Sequence, residues 1–287
     1  MKNTKLLLKN VFTIILFVIG LVVATSINST SVKAESTSIT LPSGYTAKRI
    51  AQVDNNKISA KNKKALINAS VKGVKENQFV GDDADKNVMV DVTKLSSSQK
   101  LEINRFALRL INSARSQLNK KPWVLNKSAM DFADKVAKQY HDNGRSVWDS
   151  DHYVAGITRA AVASGLKNAG QVYEDESGLP ITSEFSGSTR SMYALKRQVY
   201  FNIKQMLFGG YYGTESQADN TAYYTEWEHA GDLLGCRSLK GYDAPTKYFG
   251  MSFSDLPNDH SKISVHFMGV AKRYIKNTKK FNIHANL

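Results

Sequence analysis

The sequence predicts an α+β fold, with helices in the first part of the folded region and strands at its end. From residue 96 onward, apolar side chains recur every three or four positions, which is the spacing of amphipathic helices. Residues 263–270 (ISVHFMGV) instead alternate apolar and polar side chains, as a half-buried strand does. Helices followed by strands favour an antiparallel sheet covered by helices.

Four helices are predicted between residues 96 and 208. The first follows a run of serines that can cap it, and its apolar residues recur at four-residue spacing: Phe106, Leu110, Ala114 and Leu118. The second begins at Ser128 and stops at Asn143-Gly144. The third covers residues 153–165 and is rich in small side chains, and a long fourth helix covers residues 188–208. Residues 165–187 between them are predicted to form a loop.

A short amphipathic helix is predicted over residues 221–235 (TAYYTEWEHAGDLLG), with Gly235 at its end. Its apolar stripe is expected to face the core and to leave His229 at the edge of the stripe. Two strands follow at residues 248–253 and 263–270, joined by a turn around Pro257-Asn258.

The first 34 residues have the pattern of an export signal. Lys2, Lys5 and Lys9 precede an apolar run over residues 11–24, and Val32 and Ala34 occupy the −3 and −1 positions of a cleavage site. The run is short for a hydrocarbon core of about 30 Å. We therefore expect a secreted or cell-surface-associated protein with no membrane span after signal cleavage; an uncleaved anchor is the alternative.

The remaining chain divides into three parts by composition. Residues 35–95 form a basic, polar N-terminal extension, interpreted as a partly ordered tether with a weak helix at residues 63–74. Residues 96–272 form the folded domain, and residues 273–287 form a basic C-terminal tail.

Charge and cysteine content narrow the classes of function. The formal charge of +14 favours anionic partners such as wall polymers, membrane headgroups or nucleic acid. Cys236 is the only cysteine, which excludes an intrachain disulfide, and we interpret it as a small buried residue. The chain has no His-Glu-x-x-His motif, no cysteine pair for zinc, no Gly-rich phosphate loop and no nucleophile elbow.

Three residues that could bind a metal or act in acid–base catalysis lie at predicted loop or helix edges: His152, Glu174 and His229. Two imidazoles and a carboxylate that converge could form an open metal site, with zinc as the candidate ion. Without a metal, a Glu beside a His is the arrangement of a general-base pair. His141 is expected to act as a charge at a helix C-terminus, and His266 to be structural or exposed.

Several segments, in this order, resemble a known family: ITLPSGY (39–45), FALRLINSAR (106–115), FADKVAKQY (132–140), HYVAGITRAA (152–161), GQVYE (170–174), MLF (206–208) and WEHAGDLLG (227–235). Together they resemble the surface exclusion protein domain of Gram-positive conjugation systems. That domain is a branch of the CAP superfamily of cysteine-rich secretory, antigen 5 and pathogenesis-related (SCP-like) proteins. The resemblance implies a three-layer α-β-α sandwich with a shallow cleft.

Many CAP domains line that cleft with two His and two acidic residues. The resemblance places His152 at the first His, Glu174 at the acid of the Gly-Glu-Asn motif and His229 at the second His. This chain has Tyr173 where the motif has Gly, and its fourth predicted helix contains no acid. Glu226 and Glu228 are the candidate substitutes for the second acid, and Tyr173 and Trp227 complete the predicted cleft.

These observations lead to three hypotheses on function. The first is a secreted, cell-envelope-associated binding module related to surface exclusion proteins. The second is a metal-assisted extracellular hydrolase, with His152 and His229 as metal ligands and Glu174 as ligand or base. The missing fourth acid and the lack of a Ser or Cys nucleophile favour binding. The third is an electrostatic binder of anionic wall polymer or nucleic acid, through the basic residues at 48–75 and 272–280.

Overall fold

The computed structural model describes residues 35, 38–149, 151–179, 187–239, 241–285 and 287, and the predicted signal at residues 1–34 lies outside them. In these ranges the helices are α1 (Ala47–Asp54), α2 (Ala60–Glu76), α3 (Ser97–Gln117), α4 (Lys127–Asp142), α5 (Val154–Ala163), α6 (Met192–Leu207) and α7 (Glu228–Leu233). The strands are β1 (Met89–Asp91), β2 (Val124–Leu125), β3 (Glu174–Leu179), β4 (Thr189–Ser191), β5 (Tyr248–Leu256) and β6 (Asp259–Val270).

A four-stranded sheet with the order β2-β5-β6-β3 forms the middle layer. The β5/β6 and β6/β3 pairs are antiparallel, whereas β2 lies parallel to β5. Strands β1 and β4 form a separate antiparallel ribbon. In this sheet β3 is an edge strand, and this position decides the geometry of the candidate site.

Helices cover both faces of the sheet. Helices α4 and α5 pack on one face, around a core that includes Phe132, Tyr140 and Phe281. Helices α3, α6 and α7 pack on the other face, together with α1 and α2. The predicted α+β class and three-layer α-β-α sandwich are therefore confirmed. Gly250 permits the contact between α4 and β5, because a Cβ there would lie 2.3 Å from the backbone at Ala129 and Met130.

Local signals position the helices as predicted from the sequence. Ser96 caps α3 in a capping box with Gln99, and Asn126 caps α4 through the N–H of Ala129. The fourth predicted helix begins later, at Met192, because Thr189–Ser191 pairs with β1 instead.

Two segments differ from the sequence prediction. Residues 221–235 do not form one helix: a 3₁₀ turn at Thr221–Tyr223 precedes the short helix α7. The chain bends between them because the Trp227 ring turns into the core and donates to Ser70 Oγ. The predicted loop over residues 165–187 contains strand β3.

The N-terminal extension joins the same core as the rest of the fold. Helix α2 covers the weak helix predicted at residues 63–74. Ile39, Tyr45, Ile50 and Leu66 are buried, so the interpretation of this segment as a tether is wrong for the described residues. The basic C-terminal tail also packs onto the fold, since Phe281 is fully buried.

Among the described residues, no helix combines the length and the apolar character that crossing a bilayer requires.

Candidate functional site

The edge strand β3 carries acidic side chains on both faces of the sheet. Because side chains alternate along a strand, Glu174 and Glu176 face α4, whereas Asp175 faces α7. All three residues are buried. Burial of three consecutive acids is costly unless each finds a partner or loses its charge, so their surroundings define the site.

Glu174 accepts hydrogen bonds from three side chains. His152 Nδ1 lies 2.8 Å from Oε2 and His266 Nδ1 lies 2.7 Å from Oε1. The Tyr140 hydroxyl donates to Oε2 at 2.8 Å. Burial alone would raise the pKa of Glu174, but the hydrogen bonds from the two imidazoles hold it well below its usual range. Glu174 is thus a buried carboxylate that stays ionised.

Both ring nitrogens of His266 have partners. Its Nδ1 lies 2.7 Å from the Glu174 carboxylate and its Nε2 lies 2.8 Å from Ser254 Oγ. A proton on Nδ1 lets the ring donate to Glu174. His266 was expected to be structural or exposed; it is fully buried and holds Glu174, so the structural expectation is the correct one.

Glu176 differs from Glu174 in its charge state. Burial and the nearby charge of Glu174 raise the pKa of Glu176 well above its usual range. The Tyr140 hydroxyl oxygen lies 3.1 Å from Glu176 Oε2, whereas Oε1 is buried and has no hydrogen-bond partner among the described residues. Two carboxylates on one face of one strand therefore have opposite tendencies to hold a proton.

His229 is held by its own helix terminus. Glu226 lies before α7 and accepts the backbone N–H of His229 at 3.0 Å and its ring Nδ1 at 2.8 Å. Burial alone would lower the pKa of His229, but the hydrogen bond to Glu226 raises it to about 9. The same bond lowers the pKa of Glu226, against the effect of burial. At neutral pH this is an imidazolium–carboxylate pair.

An ion pair beneath α7 supports this arrangement. Lys247 Nζ lies 2.5 and 2.7 Å from the two carboxylate oxygens of Asp232, and both side chains are almost fully buried. Burial and the neighbouring Asp232 raise the pKa of Asp175 well above its usual range. One lysine and two acids thus connect α7, β3 and the start of β5.

The structure brings His152, Glu174 and His229 together at the edge of β3. His152 contacts Glu174 directly, and the ring centres of His152 and His229 are 6.4 Å apart. Strand β3 and helix α7 bring these side chains together, although 22 and 55 residues separate them in the sequence.

The side chains best placed to hold a metal ion differ from the predicted set. His152, Glu174 and Glu176 each offer a ligand atom, and these atoms lie within 4.8 Å of one another. His229 is outside this group, and its Nδ1 is bonded to Glu226. One imidazole nitrogen and two carboxylates, one with an unpartnered oxygen, are a donor set that suits zinc.

A cleft of about 650 Å³ runs along β3. Its floor includes Glu176 and Gly178, and His229 and Glu226 lie in its wall. The other lining residues come from the segment after α4, from α6 and from the loop after α6; they include Val147, Trp148, Phe201, Asn202, Lys204, Tyr211 and Tyr212. Trp148 is 48% exposed and Tyr212 is 61% exposed, so the cleft has two accessible aromatic walls.

Three of the predicted cleft residues lie elsewhere. Tyr173 is in the core against Phe132 and donates to the carbonyl of Lys167. Trp227 is buried, and Glu228 points to solvent and pairs with Arg237. None of the three lines the cleft: the two aromatic side chains serve the core, and Glu228 is exposed.

Two other sequence interpretations concern single residues. Cys236 is buried as expected, and burial raises the pKa of its thiol to about 11, which leaves it a poor nucleophile. His141 lies in the last turn of α4 as expected, and its Nδ1 is 2.7 Å from Asp255 Oδ1.

Sequence reasoning missed Tyr140, Glu176 and His266, which complete the group around Glu174. The spacing of Glu174 and Glu176 was the available signal, because residues two apart share a face of a strand. The segment EDESGL has little strand propensity, so only its pairing with β6 reveals that face.

Comparison with known proteins supports the architecture. No protein-family model and no curated protein matches the sequence. Among solved structures, the CAP domain of Enterococcal PrgA is similar, with a TM-score of 0.63 over 84% of this chain and 89% of that one. The fold is that of a CAP domain. At 22% identity the likeness concerns the CAP fold alone, and the chemistry has to be argued from the site.

Proposed function

We propose that this chain is a secreted, cell-envelope-associated CAP-fold protein that acts by binding a ligand in the cleft beside β3. The observation that carries the proposal is the cleft of about 650 Å³, with exposed aromatic walls and the charged His229–Glu226 pair. Apolar walls with a few convergent polar groups are typical of ligand sites. The signal-like N-terminus supports export, and the motif order supports a relation to surface exclusion proteins.

Export is tested by expressing the full chain in a Gram-positive host. We expect mature protein in the medium or the wall fraction, with Glu35 as its first residue by mass spectrometry. Retention of residues 1–34 in the membrane fraction would instead support the uncleaved anchor.

Binding is tested with isolated cell walls, before and after removal of their anionic polymers. We expect wall retention of the wild type to fall at least tenfold in Trp148→Ala and Tyr212→Ala. Leu239→Ala is the matched control, because Leu239 is 45% exposed and lies outside the cleft. Retention that is unchanged in both cleft variants would contradict the proposal.

The electrostatic alternative, which involves the basic residues at 48–75 and 272–280, is tested on the C-terminal tail. Lys276, Lys279 and Lys280 are exposed and make no ion pair with any described residue. If they bind anionic polymer, their replacement by Glu should abolish retention, and retention of the wild type should fall steeply with added salt. Cleft binding predicts that these substitutions have a small effect.

The second candidate function, a metal-assisted hydrolase, is favoured by the group His152, Glu174 and Glu176. A divalent ion held there would supply a Lewis acid and an activated water. The test is thermal unfolding with and without Zn²⁺. A folded-state site adds about 2.7 kcal/mol of stability at an ion concentration 100 times Kd. That gain should vanish in His152→Ala and persist in the control His141→Ala; no gain in the wild type would reject the metal site.

A further inference from the structure

The backbone of β3 presents unpaired groups to the cleft. The carbonyl oxygen of Tyr173 accepts the N–H of Gly269, so the odd-numbered residues of β3 bond to β6. Because bonded residues alternate along an antiparallel pair, the backbone groups of Glu174, Glu176 and Gly178 point away from β6. The sheet has no further described strand on this side.

Two of these outward groups have partners. The N–H of Glu174 donates to the carbonyl of Gln171, and Asn202 Nδ2 donates to the carbonyl of Gly178 at 2.8 Å. The N–H and C=O of Glu176 and the N–H of Gly178 have no hydrogen-bond partner in the described part of the chain. Buried backbone groups are nearly always paired. Unpaired N–H and C=O groups on alternate residues of an edge strand are therefore a template for pairing with another strand.

Two buried side-chain atoms in the same cleft also lack partners. They are Glu176 Oε1 and Asn202 Oδ1, and both residues line the cavity. Because Asn202 uses its amide NH₂ on Gly178, its oxygen is left as a pure acceptor. A ligand that supplies an N–H or O–H donor next to the strand edge would satisfy Asn202 Oδ1.

Aromatic side chains lie on either side of the strand edge. Trp148 packs directly against Gly178, where a Cβ would lie 3.0 Å from the indole ring. Helix α6 and the loop that carries Tyr212 form the opposite wall. The strand edge lies at the bottom of a slot between aromatic surfaces, which suits a peptide backbone with apolar side chains on both sides.

We propose that the cleft binds an extended polypeptide segment by strand addition to the edge of β3. This inference rests on the proposed binding function and names the class of its ligand. The ligand backbone would pair with the free N–H and C=O of Glu176 and the N–H of Gly178. A backbone N–H of the ligand would reach Asn202 Oδ1, and Trp148 and Tyr212 would contact its apolar side chains. A glycan could supply hydroxyl donors, but only a polypeptide repeats donors and acceptors at strand spacing.

The test selects a binder from a library of random octapeptides, using the folded unit Lys33–Leu287. The selected peptide is resynthesised with a single N-methyl group at each position in turn. Strand addition predicts that methylation at alternate residues weakens binding at least tenfold, whereas methylation at the intervening residues has little effect. Trp148→Ala should weaken binding similarly, and Leu239→Ala should not.

Amide hydrogen exchange gives a readout that does not depend on any substitution. We expect the amides of Glu176 and Gly178 to exchange at least ten times more slowly in the complex. The amides of Asp175 and Ser177 serve as controls, because they already bond to β6. Unchanged exchange at Glu176 and Gly178, or the absence of any selected peptide, would overturn the inference.

The same variants and assays distinguish two other ligands that could fill the cleft. Cell-wall oligosaccharides that bind with dependence on Trp148 would overturn strand addition and leave the proposed binding function intact. Concentration-dependent dimerisation that protects the same two amides would assign the edge to a second copy and also overturn it. If the cleft variants neither lose wall retention nor affect any ligand, the proposed function fails as well.

Discussion

At the scale of single residues, Glu174 organises the candidate site. It is buried and ionised, and three donors from α4, β6 and the segment before α5 converge on its two oxygens. A buried charge is tolerated only with such compensation, so the donors and the carboxylate depend on each other.

We therefore expect Glu174→Gln to be strongly destabilising. The new amide group brings N–H donors to a position that faces the Nδ1 donors of His152 and His266, and hydrogen bonds to a charged group are lost. The free energy of unfolding should fall by about 3 kcal/mol, measured by chemical denaturation. Glu228→Gln, on an exposed acid, should change it by no more than about 0.5 kcal/mol. Equal stability of Glu174→Gln and wild type would show that Glu174 is not the ionised partner of both rings.

At the scale of elements, the short helix α7 owes its position to contacts with other elements. It has only six residues, too few to be stable alone. Glu226 binds both the backbone and the side chain of His229 at its start, and Trp227 is anchored in the core beside it. The helix therefore holds His229 at the wall of the cleft.

The His229–Glu226 pair predicts a pH dependence of stability. The pKa of His229 is raised from 6.5 to about 9 on folding, so its contribution is complete below pH 6.5 and is lost as the pH rises through about 9. The pKa of Glu226 is lowered, so its contribution is present above its usual value of 4.5 and is lost as the pH falls through the folded value.

The measurement is Tm between pH 6 and 10 for wild type and Glu226→Gln. We expect the advantage of the wild type to be largest near pH 6 and to shrink between pH 7 and 10. Glu228→Gln should follow the wild-type curve throughout. An advantage that stays constant to pH 10 would contradict the ion pair.

At the scale of the whole molecule, a buried charge network joins the helical layer that contains α7 to the sheet. Lys247 precedes β5, Asp232 lies in α7 and Asp175 lies in β3. The N-terminal extension and the C-terminal tail complete the same cores, so the described residues beyond Ser38 act as one structure.

We expect Lys247→Met to lower the free energy of unfolding by about 3–5 kcal/mol, because it leaves Asp232 buried without its counter-ion. The double variant Lys247→Met/Asp232→Leu should recover much of the loss, since an apolar pair removes both charges. Urea denaturation of the single and double variants measures this coupling. A double variant less stable than Lys247→Met would show that Asp232 has a second essential partner.

Helices α3, α4 and α6 and strands β5 and β6 could be predicted from the sequence because their signals are local. Caps, stop residues and apolar spacing all act within a few residues, and they identified these elements to within a few positions. His152, Glu174 and His229 could also be recognised as candidate site residues, because the segments that contain them resemble the motifs of a known family.

The rest depends on contacts between distant parts of the chain. Strand β3 lies in an acid-rich segment, and the burial of Glu174 is compensated by a hydrogen bond from His266. His266 stands 92 residues after Glu174 in the sequence. Trp227 faces the core rather than the cleft because α2 supplies Ser70 as its partner. The sequence alone determined the class of fold, since backbone periodicity is a local property. Tertiary structure decided which acids are ionised, which aromatics are accessible and where the strand edge is free, since burial and pairing involve the whole chain.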